Sequence, residues 1–127
     1  MKFYLDNRVG YHNVDEELYG LDQGGVVNLL GKLNGERHTL LCVKREDGWV
    51  LFIGGGGEKF LVNKVSPEDI SYEVKSDMPG GNVELCVGGQ YGEYESSSLA
   101  SYDLAMIALL DFCKFSSLEK YTWSVVE

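Results

Sequence analysis

The sequence predicts a two-layer α+β domain: an antiparallel sheet of about five to six strands, an N-terminal helix, a long C-terminal helix and a closing strand carrying Trp123. Three observations predict it. Val26, Leu29, Leu30 and Leu33 recur at the spacing of one buried helix face. From Thr39 the period changes to two, with turn signals at Asp47-Gly48, Ser66-Pro67 and Gly88-Gly89. An almost wholly apolar run over 104–115 then precedes Thr122-Trp123-Ser124.

The elements follow in order. Residues 2–5 make a short strand, and the stretch through Tyr19 has no clear period; its Asp15-Glu16-Glu17 run reads as a solvated loop or a helix start. Asp22 caps the first helix, which Asn34-Gly35 ends with a left-handed stop. Gly24, Gly25 and Gly31 lower its propensity, so it must rely on packing. Residues 39–44 and 49–53 flank Asp47-Gly48 as a hairpin with a two-residue turn. Further strands are expected at 59–65 and 70–75, then a second hairpin, 83–87 with 90–96, around Gly88-Gly89. Ser101 caps the second helix, with Asp103 favourably placed in its first turn. On that helix Asp103, Ile107, Asp111 and Lys114 form one narrow stripe and the rest is apolar, so it lies nearly buried against the sheet. Trp123, Phe112, Leu104 and Leu109 are assigned to the core, and the last strand spans 121–126. With no linker or repeat, residues 1–127 read as a single domain.

Twenty acids against 11 bases give a net charge of -9. That balance disfavours nucleic acid and anionic membrane, which need cationic neutralisation, and favours fast association with a basic partner. No apolar run approaches a membrane span, and Asp6 and Arg8 interrupt the N-terminal segment before a signal-like core develops. A cytoplasmic location is expected. Cys42, Cys86 and Cys113 are odd in number, widely spaced and set in apolar segments, as buried small hydrophobes would be.

Catalytic motifs are missing where they would be expected. Gly54-Gly55-Gly56-Gly57-Glu58-Lys59 has the wrong spacing for a phosphate loop and leads into a strand period, so a turn or bulge fits better. His12 and His38 have no ligand-like neighbours, and Ser96-Ser97-Ser98 lacks the glycines of a nucleophile elbow. No metal, cofactor or catalytic residue is expected.

Charge is unevenly spread instead. Between Lys75 and Lys114 lie six acids (Asp77, Glu84, Glu93, Glu95, Asp103, Asp111) and no Lys or Arg. A two-residue Gly88-Gly89 turn would pair Val87 with Gln90 and set Glu84 opposite Glu93, leaving Val83, Leu85 and Tyr94 for the core side. Like charges so opposed destabilise a sheet unless solvent screens them or a cationic partner compensates them. A glycosidase-like carboxylate pair is the enzymatic alternative, and it needs a cleft. Tyrosine beside carboxylate suits a protein interface, so Glu84, Tyr91, Glu93 and Glu95, with Asp77 at the rim, are the candidate contact residues.

The run Gly88-Gly89-Gln90-Tyr91-Gly92-Glu93-Tyr94-Glu95-Ser96, then Leu99, then 104–112, then Trp123, resembles the C-terminal half of a bacterial immunity-protein family. It is the first of the numbered families that neutralise polymorphic toxins. The Trp49 hairpin running into Gly54 to Gly57 adds to the likeness; Ser116-Ser117-Leu118-Glu119 departs from it, since members carry a proline there. The resemblance implies a non-enzymatic inhibitor of a secreted toxin domain, a nuclease or deaminase, that occludes a basic active-site cleft. A small-ligand-binding or enzymatic domain, marked by a concave pocket, is the competing class. An oligomer-forming subunit, marked by an apolar patch, is the third.

Overall fold

Alternation of side chains along successive strands builds the sheet outward from its centre, and the computed structural model describes residues 1–115 and 122–126 of it. The first half holds β1 (Lys2–Leu5), β2 (Arg8–Val9), β3 (His12–Asn13), β4 (Glu16–Tyr19), α1 (Gln23–Lys32), β5 (Leu40–Lys44) and β6 (Val50–Gly56). The second holds β7 (Lys59–Val65), β8 (Ser71–Val74), β9 (Asn82–Val87), β10 (Gln90–Glu95), β11 (Ala100–Ser101), α2 (Tyr102–Phe112) and β12 (Trp123–Val125). One eight-stranded sheet runs β12-β8-β7-β6-β5-β1-β4, with β11 beside β7. Its pairings are antiparallel. The hairpins β9–β10 and β2–β3 stand outside it.

Both helices cover one face. Phe3, Leu5, Leu41, Val43, Leu51, Ile53, Phe60, Val62 and Val74 project into that layer. They meet Val26, Leu29, Leu30 and Leu33 from the α1 segment and Leu104, Ala105, Ala108, Leu109 and Phe112 from α2. The caps work as the sequence predicts: Asp22 Oδ1 accepts from the Gly25 amide at 2.8 Å, and Ser101 Oγ from the Leu104 amide at 3.2 Å. No helix among the described residues is long and apolar enough to cross a membrane.

Several expectations are corrected. The sheet has eight strands rather than five to six, because Glu16–Tyr19 is a strand on β1 and not a solvated loop or helix start, and Ala100–Ser101 adds a short strand to β7. Only Leu18 of that strand packs against the core, which is why its acids hide the pattern. The C-terminal helix is not long: it has 11 residues, and Met106, Ile107 and Leu110 are only half-buried. The second hairpin is not part of the main meander. The Asp47-Gly48 turn is wider than two residues, since the Arg45 amide donates to the Trp49 carbonyl across it. α1 ends on Leu33 in an extended conformation, and left-handed Gly35 belongs to the next turn. Trp123 is half-buried at the edge of the core, with β12 pairing β8. The turn expected at 116–119 and the Tyr121 start of the last strand lie outside the described residues.

The glycine run proves to be strand. Gly54, Gly55 and Gly56 pair with Leu61, Phe60 and Lys59, and the chain turns at Gly57-Glu58. Two of these glycines admit close neighbours. A Cβ on Gly54 would collide with the Val87 side chain, and one on Gly56 with the backbone of Asn34 and Gly35. Gly56→Ala is therefore expected to destabilise the fold by at least about 1–3 kcal/mol, the usual cost of overpacking. Urea unfolding measures it, and an unchanged midpoint would contradict the close approach.

Candidate functional site

The β9–β10 hairpin carries the acidic tyrosine strand, and its geometry follows from its turn. Gly88 and Gly89 both have positive φ (61° and 80°), the left-handed pair that a two-residue turn requires. Gln90 pairs with Val87, and Glu93 with Glu84, as the spacing predicts. Alternation then puts Tyr91, Glu93 and Glu95 on the same side as Glu84. All four are exposed, Tyr91 to 70%. Among the described residues neither Glu84 nor Glu93 has an ion-pair partner. The opposite side carries Leu85, buried, with Val83 and Tyr94 half-buried. Cys86 is buried although it shares the acidic side.

Asp77 is differently placed. Its carboxylate accepts from the Ser101 amide at 3.0 Å and the Ser101 hydroxyl at 2.6 Å, so it braces the start of α2.

The hairpin is fixed to the sheet from behind. Val87 lies against Gly54 and Leu85 near Gly55. At the turn, the Gly89 amide donates to Thr39 Oγ1 at 3.0 Å, and that hydroxyl donates to Asp6 Oδ2 at 2.5 Å. Asp6, only 4% exposed, also accepts from the Thr39 amide (2.6 Å), the Leu40 amide (2.9 Å) and Arg8 Nε (2.7 Å). His38 Nδ1 lies 2.6 Å from the Asp6 carbonyl oxygen. Burial alone would raise the Asp6 carboxyl; the Thr39 hydroxyl, the two amides and the Arg8 guanidinium outweigh it and hold it below its ordinary value. Sequence reasoning missed Asp6, Thr39 and Arg8. Asp6 at the end of an apolar strand is the one local sign of them.

Cavities are small. One of about 230 Å³ lies between the end of α2 and the sheet, lined by Arg45, Trp49, Lys64, Asp111, Lys114 and Trp123 among others. Both Asp111 carboxylate oxygens are buried there without a hydrogen-bond partner. The Arg45 guanidinium is already engaged, by Asp47 at 3.0 and 2.7 Å and the Phe112 carbonyl at 3.1 Å. Lys64 Nζ lies 4.2 Å from the Trp123 ring centroid and 5.1 Å from that of Trp49. A second cavity, about 190 Å³, opens beside Asp6, Arg8 and Gly88. These two volumes fall below the roughly 300–1,000 Å³ of ligand pockets, and a third hollow of about 340 Å³, over Met1, Arg45, Glu46, Asp47 and Lys114, sits at the bottom of that range. Burial pushes the Cys113 thiol up to about 12 and raises that of Cys42, so neither supplies a thiolate at neutral pH. Among the described residues no three His, Cys, Asp or Glu side chains group as metal ligands would.

The class that fold and site define is an α+β protein presenting a braced acidic hairpin. Against known proteins, the chain matches no family model and no curated protein.

Asp6 yields a test with a defined sign. A carboxylate held below its unfolded value near 3.8 contributes stability that is fully present above that pH and lost as pH falls through the folded value. Asp6→Asn should cost about 1.5–3 kcal/mol at pH 7, the usual range for hydrogen bonds to a charged group. The gap from wild type should narrow in urea titrations at pH 3. An equal gap at both pH values would show that the charge does not matter.

Proposed function

We propose that the protein is an immunity protein. It binds and neutralises a cognate secreted bacterial toxin domain, a nuclease or deaminase, by occluding that domain's basic active-site cleft. One observation carries the reading: Glu84, Tyr91, Glu93 and Glu95 share one exposed face of a hairpin that the sheet braces from behind. A toxin that handles nucleic acid needs a cationic cleft, and an acidic surface with an aromatic anchor can occupy it in place of the polyanion. The net charge of -9 speeds the encounter with such a partner. The family resemblance of the hairpin, the apolar helix and Trp123 points the same way.

A second reading has one observation in its favour. The unpartnered Asp111 carboxylate beside Trp49 and Trp123 is what a small cationic ligand would meet. Arg45, Lys64 and Lys114 line the same cavity, and their charge weighs against it.

The decisive experiment uses the C-terminal domain of the large secreted protein that this reading expects the adjacent gene to encode. Co-purification should weaken as salt rises. The Glu84→Lys/Glu93→Lys double variant should lose association rate by on the order of 10–100-fold. Unchanged affinity would remove this face from the contact surface.

Glu84→Lys alone separates stability from binding. It sets an ammonium opposite Glu93 and should stabilise the hairpin by about 0.2–1 kcal/mol while weakening toxin association. Thermal unfolding and binding kinetics on one preparation read both changes. A variant that gains neither stability nor loses affinity would contradict the role given to the pair.

A further inference from the structure

The described residues leave ten large hydrophobic side chains exposed, and four of them fall within residues 9–19: Val9 (62%), Tyr11 (107%), Val14 (70%) and Tyr19 (58%). Such clustering is unlike the scattered exposure of ordinary surfaces. Tyr11 stands in the two-residue turn between β2 and β3, where Val9 pairs with His12 and Gly10 takes a positive φ of 62°. None of the described residues covers it.

This exposure sits on a braced base. The Val14 amide donates to the Asn7 carbonyl at 3.1 Å, and the Arg8 amide to the Arg37 carbonyl at 2.9 Å. Asn13 Oδ1 accepts from the Asn7 amide at 3.0 Å, and Arg37 Nε donates to Asn7 Oδ1 at 2.7 Å. The backbone that carries Tyr11 is thus held at its base before any partner binds.

Next along the chain is β4, the last strand of the sheet, which pairs with β1 and has no strand on its other edge among the described residues. An open edge is a template for an incoming strand. Charge selects which strand can use it. Between Arg8 and Lys32 the chain has Asp15, Glu16, Glu17 and Asp22 and no Lys or Arg. Glu17 accepts from the hydroxyls of Tyr4 and Tyr19, and Asp22 caps α1, whereas Glu16 is exposed. A second copy of this chain would bring acid against acid along the edge. A Lys- or Arg-bearing segment would meet opposite charge.

We propose that the open edge of β4, with Tyr11 as anchor, docks an extended basic segment of a protein partner as an added strand. The inference rests on the immunity reading, with the toxin domain as that partner. The β2 strand leading into the Tyr11 turn meets the turn of the acidic hairpin, because a Cβ on Gly89 would strike the Arg8 guanidinium.

Hydrogen exchange of the full chain, free and with the toxin C-terminal domain, tests this directly. Protection gained over residues 9–19 is expected. Tyr11→Ala, which removes a side chain without internal contacts, should weaken binding at least about tenfold and leave thermal stability unchanged. Glu16→Lys should slow association further. A toxin that binds and is neutralised while 9–19 stays unprotected and Tyr11→Ala binds as wild type overturns the docking edge and leaves the immunity reading intact. A toxin that neither binds nor is neutralised overturns both.

Discussion

The Asp6 carboxylate is the interaction on which the arrangement depends, because three separate pieces of chain are defined relative to it. It lies just after β1, takes the Thr39 and Leu40 amides where β5 begins, and holds Arg8 at the start of β2. Through the Thr39 hydroxyl it reaches the Gly88-Gly89 turn. A buried carboxylate is tolerable only when its lone pairs are filled, and here four donors fill them. The network fixes direction as well as supplying stability. Remove the charge, and the Thr39 hydroxyl that meets the Gly89 amide loses its acceptor, while Arg8 at the root of the Tyr11 hairpin loses its partner.

Size matters as much as charge at this junction. Gly54 lies on the face opposite the helices, paired with Leu40, and the absence of a side chain there lets Val87 come within contact. At Gly56 the same absence lets the Asn34-Gly35 turn close over the strand. A run that superficially resembles a phosphate loop therefore serves close packing at two points of one strand. Its glycines are needed because neighbours occupy the space their side chains would take.

Local signals were legible and distant ones were not. Asp22 and Ser101 cap helices through amides three residues away, so composition and order alone identify them. The Glu84–Glu93 register was equally readable, since a two-residue glycine turn determines every pair above it. Asp6 finds its partners 33 and 34 positions along the chain, which no window of sequence contains. β4 was hidden for another reason. It contacts the sheet along one side and the core only through Leu18, so its acids outweigh its strand pattern. Asp77 looked like a free rim acid because nothing before Ser101 signals the bond between them.

The two acidic surfaces share a design that bears on how a partner could be recognised. Each stands on a hairpin or edge strand whose rear is held by hydrogen bonds, and among the described residues none of its glutamates forms an ion pair. Like charges set opposite one another cost the free protein a few tenths of a kcal/mol to about 1 kcal/mol. A cationic surface removes that repulsion on contact, so part of the strain in the isolated protein becomes affinity in the complex. Rigidity is what makes the exchange effective, because a loose hairpin would relieve its repulsion by splaying apart. The bracing from Asp6 and the exposed glutamates are thus two halves of one arrangement: the first keeps the second in a conformation that the basic partner proposed above would relax.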